Sequence, residues 1–194
     1  MRLLMLVLLA LGALLAGCSP VTAPPSAPTP LPTVAPAPEA PILALDQTTP
    51  LGDSGFQIDY PAGWTVRTQG PTTMIEANAG ACELHNGYCI AHDQRSLAYM
   101  QSLGLPENAT AEDLLALNRT FFDWEELSEP ETGEVFGARA LGLRYFDDGV
   151  WGYIWTGVLD DAAFLINVAG PEEAGLDEIL PTFNAMLESI RPVE

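Results

Sequence analysis

ALGLRYF (Ala140–Phe146), VWGYIWTGVL (Val150–Leu159) and AFLINVA (Ala163–Ala169) are joined by DDG (147–149) and DDA (160–162). Each segment is rich in β-branched and aromatic residues and is bounded by turn formers. Three such runs in close succession predict an antiparallel meander. Along the middle run side chains alternate between faces, which places Trp151, Tyr153 and Trp155 together. Under a helix the three rings are core, the usual fate of large aromatics. On an open face they form a platform for a sugar or an apolar ligand.

The flanking sequence supplies more strands, then helices. FQIDY (Phe56–Tyr60) alternates Phe56, Ile58 and Tyr60 with Gln57 and Asp59, as a half-buried strand should. PAGW turns the chain, Trp64 and Val66 start a second strand, and TTMIEAN (Thr72–Asn78) is a third. Ser96 is placed to cap a short helix carrying Leu97, Met100 and Leu103. Thr110 and Asp113 have capping-box spacing before LLALNRTFFDW, in which Leu114, Leu117, Phe121 and Trp124 form one apolar stripe, read as core. Near the end, Ile179, Leu180, Phe183, Met186, Leu187 and Ile190 recur at three- and four-residue steps, with Pro181 either near the helix start or at a kink. Strands, helices, strands, helix: the order predicts an α+β fold, an antiparallel sheet covered by helices.

Two stretches carry a family resemblance. GFQIDYPAGWTV (Gly55–Val66) and PTFNAMLESIRP (Pro181–Pro192) resemble the opening and closing motifs of the PsbP-like group and frame residues 53–193. The resemblance implies an αβα sandwich. It also implies accessory or binding proteins with differing partners, and little about activity.

The front of the chain is of another kind. MRLLMLVLLALGALLAG (Met1–Gly17) has one Arg, an apolar run too short for an ordinary membrane span, and small residues before Cys18, the pattern of an export signal. Leu15-Ala16-Gly17-Cys18 resembles a bacterial lipobox, which implies cleavage before Cys18 and a diacylglyceryl thioether on its sulfur. Residues 20–50 contain ten prolines and no basic residue. Proline removes backbone donors and favours extended polyproline II, so this stretch reads as a tether. At ~3.1 Å per residue it spans up to about 90 Å. The expected organisation is therefore a signal peptide (1–17), a lipid-attachment Cys and tether (18–50), and a globular domain (51–194).

Charge narrows the partners. The 194 residues hold 26 acidic and 7 basic side chains, every basic one Arg, for a net charge of −19. Losing the leader removes Arg2 and leaves six arginines against 26 acids, a balance of −20. Such a chain repels nucleic-acid phosphates and anionic headgroups. No nucleic acid is expected, and the membrane attachment falls to lipid on Cys18.

The remaining cysteines and both histidines lie at Cys82, His85, Cys89 and His92. Two cysteines and two histidines this close are a legitimate zinc signal. Asn86-Gly87 between the cysteines is a strong hairpin signal, however. A two-residue turn centred there puts Cys82 and Cys89 on one face and both histidines on the other. The cysteines are then diagonal neighbours, so a wider loop or a bulge is needed to bring them within disulfide distance. Export to an oxidising space favours the disulfide Cys82–Cys89 over free thiols or a metal site, and leaves the histidines exposed.

Other chemistry is thin. GDSG (Gly52–Gly55) echoes a serine-protease nucleophile segment, but no His precedes Ser54 and the composition is that of a turn. Asp147-Asp148 and Asp160-Asp161 stand at opposite ends of a strand ~30 Å long and cannot share one calcium. No phosphate loop, dinucleotide fingerprint or HExxH is present. The expectation is a non-enzymatic lipoprotein without a cofactor that binds an envelope protein. A small-ligand or metal-binding module is the alternative, and a hydrolase lacks a visible base–nucleophile pair.

Overall fold

The computed structural model describes residues 40–193. The expectations for the leader, Cys18 and most of the tether lie outside the described residues. In chain order the described elements are β1 (Leu45–Pro50), β2 (Phe56–Pro61), β3 (Thr65–Gln69), β4 (Thr72–Glu76), α1 (Ala81–Leu84), β5 (Cys89–Ser96), α2 (Leu97–Ser102) and α3 (Ala111–Phe121). There follow β6 (Glu125–Glu126), β7 (Glu131–Val135), β8 (Ala138–Asp147), β9 (Val150–Leu159), β10 (Ala162–Gly170), α4 (Glu173–Glu188) and β11 (Arg191–Pro192). No described helix is long and apolar enough to cross a membrane.

The meander predicted at 140–169 is the centre of the main sheet, whose order is β3-β4-β5-β10-β9-β8-β6, with β7 also on the outer edge of β8. Its pairings are antiparallel. The turns behave as their residues dictate. Asp147 faces Val150, and the two residues between, Asp148 and Gly149, both take positive φ, as a tight hairpin matched to the strand twist requires. Asp160, at φ 48°, turns β9 into β10. A second, three-stranded sheet has the order β1-β2-β11.

Alternation gives the main sheet two apolar faces. One carries Ile75, Ile90, Tyr153, Phe164, Ile166 and Val168, and packs with Leu176, Ile179, Phe183 and Met186 of α4 and with Leu51 and Ile58 beside and on β2. The other carries Leu141, Leu143, Tyr145 and Ile154 against Ala111 and Leu115 of α3. Beside it, Ala163 meets Met100 and Leu114 of α2 and α3. The result is the expected αβα sandwich with an antiparallel sheet. Both predicted caps are present: the Ser96 Oγ accepts the Tyr99 N–H, and Thr110 and Asp113 form a reciprocal capping box.

Several expectations are corrected. The folded domain begins before Leu51, because Leu45–Pro50 form β1 on β2 and the Leu43 N–H donates to Thr182 of α4. Of the two places read for Pro181, the helix start is excluded, since it lies in the interior of α4. The stripe on α3 is shorter than read: Leu114 is buried, but the helix ends at Phe121, which is 55% exposed. Trp124 lies beyond the helix and still packs on Tyr145.

Candidate functional site

Three grooves are candidates for binding. The first is built on β9. Trp151, Tyr153 and Trp155 share the α4 face, as alternation requires; Tyr153 is buried in the core there, and Trp151 and Trp155 are partly buried against it. Trp151 packs on Phe146, away from the other two. Tyr153 and Trp155 lie with ring centres 5.8 Å apart and also floor a groove of about 550 Å³. Two glycines make the floor possible. A Cβ on Gly133 would stand 2.4 Å from the Trp155 indole, and one on Gly142 would stand 2.5 Å from the Tyr153 oxygen, so only bare backbone lets the rings lie down there.

Leu180, Asn184, Leu187 and Glu188 of α4 form one wall of this groove, and Glu129, Glu131 and Glu134 line the other side. The Tyr153 hydroxyl donates to Glu131. Burial, and then Glu131 itself, push its pKa up, so it remains a neutral donor. Arg144 also lines the groove, but its guanidinium is paired with Asp177. The sequence signalled the aromatic pair. It did not signal the carboxylates, which sit on polar edge strand β7 and the loop before it.

The second groove, about 560 Å³, lies on the opposite sheet face, where α2 and α3 leave the β4-β5-β10 end uncovered. Cys82 and Cys89 line it and are joined by a disulfide, with Cα atoms 4.9 Å apart. No two-residue hairpin forms at Asn86-Gly87, and the wider loop that the disulfide requires is present. Here β4 pairs with β5 from Glu76 opposite Cys89, and residues 77–88 form a wide loop containing α1, which delivers Cys82 to Cys89. Beneath the loop the Cys82 N–H donates to Glu76 (3.0 Å), which also takes Arg67 at 3.0 Å; Arg67 reaches on to Glu83 at 2.7 Å. Burial raises the Glu76 carboxyl, but the Cys82 N–H and Arg67 outweigh it and hold the group below the usual carboxylate range.

The histidines are not brought to the cysteines. His85 is exposed at φ 50°, closing α1. His92 is not exposed as expected. It points to the other sheet face, 1% exposed, with its ring 5.3 Å from Phe136 and neither nitrogen hydrogen-bonded. The expectation failed because β5 is a central strand, paired on both edges, whose Ile90 and His92 face is buried. Among the described residues no group of three or more His, Cys, Asp or Glu is arranged to hold a metal. Ser54 of GDSG accepts the Phe56 N–H in a turn where Gly52 and Gly55 take positive φ.

The third groove, about 320 Å³, runs between α2 and α3. Tyr99, Leu103, Phe121 and Phe122 line it and are 50%, 39%, 55% and 45% exposed. Arg95 lies over the Tyr99 ring and pairs with Asp93 at 2.8 Å. Sequence reading missed this patch, although a signal was there. Adjacent Phe121 and Phe122 project about 100° apart on a helix, so both cannot join one buried stripe.

No protein-family model matches the chain, and no curated protein matches it. Solved structures do. Cyanobacterial PsbP (CyanoP) from Synechocystis sp. PCC 6803 superposes with a TM-score of 0.51 at 14% identity, over 85% of this chain and all of that one. A protein of unknown function from Pseudomonas aeruginosa gives 0.46 at 12% identity, over 76% and 97%. A protein from Bacteroides thetaiotaomicron gives 0.44 at 9%, over 76% and 48%. The likeness to the first is one of fold: this chain has a PsbP-like fold.

Proposed function

We propose that this chain is a non-enzymatic accessory protein of the bacterial cell envelope. It is exported, held to the membrane by lipid on Cys18, and binds another protein through the groove between α2 and α3. The observation that carries the reading is the exposure of Tyr99, Leu103, Phe121 and Phe122 along that one groove. Clustered exposed apolar side chains mark interaction surfaces, and aromatics supply much of the energy at interface centres. The partner chemistry that fits is an apolar segment, since the lining is mostly hydrocarbon with a single cation, Arg95, at its side.

The test is in-cell photocrosslinking from a reactive amino acid placed at Leu103. The expected result is one defined adduct that disappears in a Phe121→Asp variant and is not formed from the exposed position of Glu172, which precedes α4. No adduct at Leu103, or the same adducts from both positions, would overturn the assignment.

A further inference from the structure

We propose that Asn86 is a site of spontaneous covalent modification, at which the main chain deamidates the side chain with help from Asn78. The site lies in the disulfide loop and does not depend on the α2–α3 groove.

The motif comes first. Asn86-Gly87 has the sequence of a tight hairpin but builds none, and neither residue takes positive φ. It forms a bend in the loop 77–88 instead. Of the chain's asparagines, Asn86 is the one followed by glycine. A glycine nitrogen has no neighbouring side chain to block its approach to the Asn86 Cγ. Asn86 is exposed, and among the described residues no hydrogen bond holds its side chain or the Gly87 N–H. Asn118 and Asn167, by contrast, are held in a helix and a strand by bonds to Thr156 and to Tyr145.

Asn78 activates the attacking group. Its side-chain amide donates to the Asn86 carbonyl at 3.3 Å. It also packs so close to Gly87 that a Cβ there would stand 2.6 Å from the Asn78 nitrogen. A donor on that carbonyl draws electron density out of the 86–87 peptide and makes the Gly87 N–H more acidic. Hydroxide removes that proton, and the Gly87 nitrogen bonds to the Asn86 Cγ. The Cγ–Nδ2 bond breaks, and ammonia leaves with a proton from water. Water then opens the cyclic imide at either carbonyl and leaves aspartate or isoaspartate. No oxidant or reductant is consumed. Either product sets a new carboxylate at the groove that His85 and Gly87 line, and isoaspartate lengthens the ring closed by Cys82 and Cys89.

The experiment incubates the full-length chain, in detergent and with the disulfide intact, at mildly alkaline pH. Tandem mass spectrometry of its peptides follows the conversion of each asparagine with time. Asn86 should convert about tenfold faster than Asn78 and Asn108, which are also exposed but are followed by alanine. Asn78→Ala removes the donor from the Asn86 carbonyl and leaves the Asn86-Gly87 sequence intact, so it should slow Asn86 several-fold in the folded protein. In denaturant with reductant the contact is gone, and the parent and Asn78→Ala should convert Asn86 at one rate. The proposal is overturned if Asn86 of the folded protein stays intact over the time in which the denatured chain converts. It is also overturned if folded Asn78→Ala converts as fast as the parent, or if the two differ as much in denaturant as they do folded.

Discussion

His92 brings two polar ring nitrogens into the core and satisfies neither. Burial depresses its pKa from the ordinary 6.5 to about 4, against a small opposing pull from Asp93. The consequence for stability has a definite sign. Between about pH 6.5 and pH 4 the unfolded chain takes up a proton that the folded chain refuses, so stability is full above that window and falls through it. The shift corresponds to about 3 kcal/mol across the window. Denaturant unfolding followed at neutral pH and near pH 4 should show His92→Leu losing less stability on acidification than the parent, by roughly that amount. Identical pH slopes for the two proteins would sink the idea. Nothing in the local pattern announced this burial. CIAHDQRS reads as half-polar, and only its pairing with both β4 and β10 makes it central.

At the scale of elements, legibility followed how each element is stabilised. The meander strands and α4 bury continuous apolar faces, and period alone located them. The caps of α2 and α3 were legible because capping uses local side chains at fixed spacing. β6 and β7 were missed because they are edge strands held by backbone pairing; their glutamates sit where negative charge discourages further strand addition. In the loop 77–88 the width was foreseen and only the turn position was misplaced, for a related reason. Asn86-Gly87 is a strong turn signal, yet the left-handed positions that shape the loop are Gly80 and His85, and the disulfide and the Asn78 amide on the Asn86 carbonyl hold the rest. The disulfide itself was reachable, because two cysteines seven apart need only a wide enough loop, and the expected export favours their oxidation. Its closure of so short a ring limits its contribution to about 2 kcal/mol. Cys82→Ser with Cys89→Ser should therefore lower the unfolding free energy by about that much and leave the main-sheet signal in circular dichroism intact. Collapse of the fold in that variant would show that the loop supports the β4–β5 edge far more than its ring size implies.

For the whole molecule, charge and anchoring belong to one account. Six arginines against 26 acids from residue 18 onward make a chain that anionic headgroups repel, and no described helix offers a membrane span. The prolines at 20–50 carry no basic residue that would reverse this. If lipid on Cys18 is the attachment, it must act alone and against electrostatic repulsion, which a single acyl chain cannot do stably. Two consequences follow that a charge-based attachment would not share. The parent protein should sediment with membranes at high and at low salt and be released by detergent. Cys18→Ser, carried behind an ordinary cleavable secretory leader, should be recovered in the soluble exported fraction at either salt concentration, because no described helix offers a second membrane span. Retention of Cys18→Ser on membranes, or release of the parent by salt, would shift the attachment from the lipid to a membrane protein held by the globular domain, with the exposed α2–α3 groove as the first surface to mutate.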